Sequence, residues 1–232
     1  MALKQVPLPG GPPLRFSVAL LLVYFLFYSP AIRWGLRAHR DLIEYSPLLF
    51  FALALIFVRV FQRGSGIGLG FSRAHWKQNL GLGGGLGGLL LLSLPLLDGL
   101  LEWSGLAENE LFAGAEQRES PGKGGNGGAI APALEILAGP ILHQLFLNGL
   151  ILQSLLRRYN PVLSVYGVGV LFSLVHFRLS LGWFVLGMVT AFLFRRTGTL
   201  IAPWVVHLCG SLAGFLLIHF YPRLVTLLGF LY

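Results

Sequence analysis

Three histidines lie in three separate apolar stretches of the sequence, each in a group that contains two residues four positions apart. The three groups are His143-Gln144-xxx-Asn148, Phe172-xxx-His176 and His207-xxx-Ser211. Because residues four apart share one face of a helix, each group presents a compact patch. Polar side chains at membrane depth are costly, and they usually pair with one another or serve a function. The pattern therefore predicts that the three groups face a common interior.

Three imidazoles in one interior allow three kinds of role. They can act as general acids or bases near neutral pH. His143, His176 and His207 can instead hold a divalent metal such as zinc, because three histidines and a water form a known catalytic zinc set. A histidine in a membrane helix can also serve only as a hydrogen-bonding link between helices. Three matched groups favour a functional role over the purely structural one.

The composition places the chain in a membrane. Of its 232 residues, 55% are hydrophobic and 11% are charged, whereas soluble domains are about 25% charged. We therefore expect an integral membrane protein whose main partner is the lipid bilayer. The net charge of +8 does not indicate a nucleic-acid partner, because the basic residues fall at helix ends. The single cysteine, Cys209, excludes an intrachain disulfide.

Seven apolar segments predict an all-α fold, a polytopic transmembrane bundle of about seven helices. They run approximately over residues 14–34, 42–61, 79–101, 129–156, 161–177, 179–194 and 200–221. We expect a disordered N-terminus (1–13), three N-terminal transmembrane helices (14–101), a flexible polar loop (102–128), a helical core (129–221) and a short apolar tail (222–232). A glycine run over residues 81–88 predicts close helix packing.

The charges between the segments predict the orientation. One set of loops is basic and the other is mostly acidic. Because basic loops stay on the cytoplasmic side, we expect a cytoplasmic N-terminus, in a plasma (inner) membrane.

The three motifs resemble those of the CPBP intramembrane proteases, also called the Abi or CAAX-protease-like family, which includes the type II CAAX prenyl endopeptidase. That family shows Glu-Glu-xxx-Arg in one helix, Phe-xxx-His in the next and His-xxx-Asn in a later one. The surroundings also match, with Gly-Pro-Ile-Leu before the first motif and Arg-Arg-Thr-Gly-Thr-Leu-Ile-Ala-Pro-Trp before the third. The resemblance covers about residues 131–220, so it implies a CPBP-like core.

The resemblance also implies roles for the motif residues. In the family, the first glutamate and the histidine of the second motif activate a water, and the later histidine and asparagine hold the oxyanion. Here the two glutamates are replaced by His143 and Gln144. The family's arginine and asparagine have become Asn148 and Ser211, while Phe172, His176 and His207 remain.

The replaced residues can still supply the chemistry in part. His143 is a competent proton acceptor when neutral, so His143 or His176 can activate the water. His207 then stabilises the oxyanion, with Gln144 and Ser211 as further donors. Asn148 belongs to the same catalytic set, and Phe172 is placed at the substrate. The alternative is a metal on the three histidines whose bound water is the nucleophile.

Two functions follow from different classes. The first is a divergent CAAX-protease-like intramembrane peptidase that hydrolyses a peptide bond in a membrane-anchored or lipidated substrate. The second is a catalytically inactive family member, a pseudoenzyme that binds a hydrophobic peptide or a partner membrane protein in the old active site. A transporter that relays protons through the histidines ranks last, because the chain shows no inverted repeat.

Overall fold

A computed structural model describes residues 11–38, 42–43, 45–61, 69–70, 72, 75–106, 130–177 and 180–228. In this part of the chain every regular element is a helix, which confirms the predicted all-α fold. The eight helices are α1 (Leu14–Gly35), α2 (Ser46–Phe61), α3 (Trp76–Trp103), α4 (residues 130–156), α5 (Pro161–Val175), α6 (Leu181–Thr197), α7 (Ile201–Phe220) and α8 (Pro222–Leu227).

Each of the seven predicted apolar segments overlaps one of the helices α1 to α7. Four stretches are long and apolar enough to cross a membrane, namely α1, α3, residues Ile136–Leu156 of α4, and α7. Two further apolar stretches, Ser46–Val60 and Pro161–Val175, are shorter. The 28 residues of α3 span about 42 Å at 1.5 Å per residue, so α3 exceeds the ~30 Å hydrocarbon core. The chain is an integral membrane protein.

Local sequence signals set the ends of the two helices that follow α4. Asn160 accepts a hydrogen bond from the backbone N–H of Val162 at the start of α5, and Pro161 occupies the first turn. Ser180 caps α6 through the N–H of Trp183. The helix α6 ends at Gly198, whose φ of 67° is a left-handed conformation that glycine adopts without strain.

Two helices contain a stretch of wider, π-helical backbone. In α4 it covers Gln144–Leu152, and in α1 it covers Val23–Tyr28. Such widened turns are rare in proteins overall, but those that occur frequently lie at functional sites. The stretch in α4 carries two of the motif residues, Gln144 and Asn148. Neither stretch is predicted by the helical spacing of the sequence.

The main core lies where α1, α2, α4, α5 and α6 meet. Its fully buried members include Phe51, Phe146, Leu150 and Phe172. A second, smaller cluster joins α3, α7 and α8. There the short helix α8, part of the predicted apolar tail, buries Leu224 completely.

Only part of the glycine run makes the predicted close contact. A Cβ on Gly83 would lie 2.8 Å from the carbonyl oxygen of Ala202, and one on Gly87 would lie 2.5 Å from the sulfur of Cys209. Among the described residues, nothing lies within 4 Å of such a Cβ on Gly84 or Gly85. The close approach of α3 to α7 therefore depends on the four-residue spacing of Gly83 and Gly87.

Several predicted boundaries lie outside the described residues. Residues 1–10 of the predicted N-terminus and residues 229–232 of the predicted tail are not described. The same holds for residues 107–129, which include the predicted boundary between the polar loop and the helical core. The division of the chain into five parts stays a prediction.

We expect Gly83→Ala to destabilise the bundle by about 1–3 kcal/mol, because the added methyl meets backbone rather than a flexible side chain. Gly84→Ala on the same helix is the matched control and should cost nothing, since its Cβ meets open space. Unfolding of the purified protein in detergent, followed by circular dichroism, measures both variants. Equal stability of the two variants would contradict the packing of α3 on α7.

Candidate active site

His143 on α4 and His176 at the end of α5 face each other through their ring nitrogens. The two Nε2 atoms are 3.0 Å apart, within hydrogen-bonding distance. Each Nδ1 faces a backbone carbonyl one turn earlier on its own helix. For His143 it is the oxygen of Gly139 at 2.7 Å, and for His176 it is the oxygen of Phe172 at 3.0 Å.

This arrangement fixes the number of protons that the pair can hold. Because a carbonyl oxygen only accepts, each Nδ1 must carry a hydrogen to bond its carbonyl. The bond between the two Nε2 atoms needs one hydrogen more. Two neutral imidazoles carry two ring hydrogens in total, so all three bonds form together only when the pair holds a third proton. When the pair holds only two hydrogens, one of two states results. Either both hydrogens lie on Nδ1 and the two Nε2 atoms face each other without a hydrogen, or one hydrogen lies between the Nε2 atoms and one carbonyl bond is lost.

The third histidine, His207 on α7, belongs to a directed chain of side-chain hydrogen bonds. Asn148 donates its amide hydrogen to the oxygen of Gln144. The amide nitrogen of Gln144 lies 3.1 Å from Nδ1 of His207 and donates to it. The amide group of Gln144 is oriented by these two bonds. With Nδ1 as the acceptor, neutral His207 carries its hydrogen on Nε2, where it can serve as a donor.

The three imidazoles pack as one cluster. The ring centre of His143 lies 4.8 Å from that of His176 and 5.4 Å from that of His207. Phe51 closes one side, with its ring 5.1 Å from that of His143. Phe172 lies 5.5 Å from the ring of His207 and is completely buried.

Trp183 on α6 covers the outer side of this cluster. Its ring lies parallel to that of His176, with the centres 4.2 Å apart and 13° between the planes. Gly187, one turn further along α6, allows this approach, because a Cβ there would lie 2.7 Å from Cβ of Phe172. A side chain at position 187 would push α6, and Trp183 with it, away from the cluster.

The cluster is buried on its inner side and partly open at one edge. His143 is 5% exposed and His207 is 1% exposed, whereas His176 and Trp183 are half-buried. Asn148 is completely buried, and its side-chain oxygen has no hydrogen-bond partner among the described residues. The half-buried edge of the cluster is the one formed by His176 and Trp183.

The structure brings together six of the seven motif residues singled out from the sequence, the exception being Ser211. It is half-buried on α7 one turn after His207, and no hydrogen bond joins it to the cluster within the described part of the chain. The sequence-based convergence of the three histidines agrees with the geometry. The catalytic roles themselves are not tested by it.

The zinc hypothesis gains no support from the arrangement. The described residues contain no group of three or more His, Cys, Asp or Glu side chains placed to hold a metal ion. Gln144 also occupies one ring nitrogen of His207. A metal on these residues stays a prediction.

Sequence reasoning missed Trp183 and Tyr24. Trp183 lies seven residues after His176, beyond the helix end, so no helical spacing relates the two. Tyr24 lies in an aromatic run of α1, and its hydroxyl is 2.6 Å from the carbonyl oxygen of Val175, 151 residues away. The only sequence signal for Tyr24 is the hydroxyl itself, since a buried tyrosine usually finds a hydrogen-bond partner.

We expect neutral His207 in Gln144→Met to populate both tautomers, because its Nδ1 then loses the hydrogen-bond donor that keeps the ring hydrogen on Nε2. The change also leaves Asn148 without an acceptor, so the bundle should lose about 1–3 kcal/mol of stability. Nitrogen-15 NMR of histidine-labelled protein measures the tautomer. Ser173→Ala is the control, since it removes a buried bond to the carbonyl of Ser180 and should leave His207 unchanged. An unchanged His207 spectrum in Gln144→Met would contradict the hydrogen-bond chain.

Comparison with known proteins identifies one family. Residues 127–213 match the model of the family described as type II CAAX prenyl endopeptidase Rce1-like. No curated protein and no solved structure matches the chain. The matched segment contains all seven residues of the three motifs, which confirms the resemblance to the CAAX-protease-like family. Residues 127–213 of this membrane protein are therefore similar to the type II CAAX prenyl endopeptidase Rce1-like family.

Proposed function

We propose that the protein is an intramembrane peptidase that hydrolyses a peptide bond of a membrane-anchored or lipidated substrate. The observation that carries the proposal is the contact between Nε2 of His143 and Nε2 of His176. The two Nε2 atoms supply a proton acceptor in a site where both glutamates of the family pattern are replaced. The family domain at residues 127–213 supports the reaction class.

The His143–His176 pair acts as the general base. The water oxygen attacks the carbonyl carbon of the scissile bond, and one water proton passes to the facing Nε2 atoms. That proton completes the bond between the two rings while both carbonyl bonds stay in place. When the tetrahedral intermediate breaks its C–N bond, the pair returns the proton to the leaving nitrogen. General-base catalysis of this kind typically contributes ~10²–10⁴-fold.

His207 stabilises the oxyanion of the tetrahedral intermediate. The hydrogen bond from Gln144 keeps the His207 hydrogen on Nε2, and Asn148 holds Gln144 in that orientation. Such pre-oriented donors in a water-poor site contribute most where negative charge develops. Gln144 and Asn148 therefore act through His207 rather than on the substrate.

The surroundings suit an apolar substrate. Trp183 and Phe172 line the cluster, and the half-buried edge opens within an apolar bundle. A peptide held near the membrane by an apolar segment or a lipid chain would enter there. We place the protein in the plasma (inner) membrane with a cytoplasmic N-terminus, on the basis of its basic loops.

We expect His176→Ala to abolish a defined set of cleavages in the cell, because the proton acceptor is then incomplete. The measurement compares the protein termini in membranes from the wild type, a gene deletion and the His176→Ala strain. Cleaved ends that vanish in both altered strains identify the substrates.

His219→Ala is the matched control. Its Nδ1 faces the carbonyl of Phe215 one turn earlier at 2.9 Å, as that of His176 faces Phe172, but it is exposed. This variant should keep the wild-type termini. If His176→Ala, present at normal level, also matches the wild type while the deletion differs, the peptidase proposal fails and the inactive, peptide-binding alternative takes its place.

A further inference from the structure

The turn that carries His176 has an unfavourable backbone conformation. The helix α5 ends at Val175, His176 follows, and Phe177 has a φ of 52°. Non-glycine residues rarely adopt this left-handed region, and bulky ones least of all. A strained residue of this kind persists only where its surroundings hold it in place, and such residues cluster at functional sites.

The contacts that hold this turn come from the N-terminal helix α1. The hydroxyl of Tyr24 donates to the carbonyl of Val175 at 2.6 Å. The ring of Phe25 lies 5.7 Å from that of Phe177, at 72°. The guanidinium of Arg33 lies 4.1 Å above the centre of the Phe177 ring. Contacts from one helix therefore flank His176 on both sides.

The hydrogen bond from Tyr24 satisfies a backbone carbonyl at the C-terminal end of α5. The last carbonyls of a helix have no partner within the helix, and Val175 is completely buried, so water does not replace the missing donor. Tyr24 is 1% exposed. It also lies 6.0 Å, ring to ring, from Phe51, which in turn lies against His143. The same side chain thus supports both members of the histidine pair.

We propose that Tyr24 is a positioning residue, through which the N-terminal helix holds His176 in contact with His143. This rests on the proposed function and adds to it, because α1 lies outside the family-matching residues 127–213. The catalytic unit then includes the N-terminal helix. Small displacements of a catalytic group cost on the order of 10²-fold in rate. Loss of the bond from Tyr24 to Val175 should therefore slow the reaction.

The test compares Tyr24→Phe with Tyr28→Phe. The control removes an equivalent bond from the same helix, since the Tyr28 hydroxyl donates to the carbonyl of Ser46 at 2.9 Å and reaches α2 rather than α5. The first readout is the nitrogen-15 spectrum of histidine-labelled full-length protein in lipid nanodiscs. Tyr24→Phe should shift the His176 signals and leave those of His219 in place, while Tyr28→Phe should change neither.

The second readout is the cleavage of a peptide that spans a cut site found from the membrane termini. Tyr24→Phe should lower kcat at least ~10-fold with KM nearly unchanged, and Tyr28→Phe should leave both constants alone. Unshifted His176 signals in Tyr24→Phe, or equal effects of the two variants, would overturn the proposal. If the wild type cleaves no peptide, the proposed function fails, while the spectra still decide the positioning role.

Arg33→Gln keeps the test decisive if Tyr24→Phe does not fold. Arg33 is exposed, so its replacement leaves the core intact while it removes the contact above Phe177. A smaller shift of the same His176 signals is expected. Signals identical to those of the wild type would contradict the role of α1.

Discussion

The contact between His143 and His176 constrains the rest of the site. It joins two ring nitrogens within the helical bundle that can bond each other only through a hydrogen, while each ring already donates one hydrogen to a backbone carbonyl. A buried polar group without a partner is expensive, so the helices must hold the two rings in register. The widened backbone of α4, the strained turn after α5 and the bond from Tyr24 all converge on this pair.

The replaced motif residues form a consistent set of their own. The family pattern uses two carboxylates and an arginine in the first motif, whereas this chain has His143, Gln144 and Asn148. Gln144 accepts a hydrogen bond from Asn148 and donates one to His207. The two amides therefore fix the tautomer of His207, a histidine that is also present in the family pattern. This hydrogen-bond chain and the His143–His176 contact are the grounds on which we propose retained chemistry rather than a purely binding role.

The sequence predicted the helices and the convergence of the histidines, since apolar runs and four-residue spacing are local signals. It could not predict which residues complete the site. Trp183 reaches His176 only because Gly187 lets α6 approach Phe172, and Tyr24 meets Val175 across 151 residues. The close contact of Gly83 and Gly87, but not of Gly84, depends on how α3 rotates against α7. Ser211 has the right spacing from His207 but makes no bond to the cluster within the described residues.

A measurement of the hydrogen bond between His143 and His176 shows directly whether the two rings share a proton. Nitrogen-15 labelled histidine in the membrane-embedded protein allows detection of the scalar coupling between Nε2 of His143 and Nε2 of His176. The expected result is a coupling that appears as the pH is lowered and the pair takes up its third proton, and that is absent from His176→Ala. Two well-resolved Nε2 signals that titrate without any coupling, in protein that keeps its fold, would show that the rings do not share a proton, and the His143–His176 pair would then not be the proton acceptor.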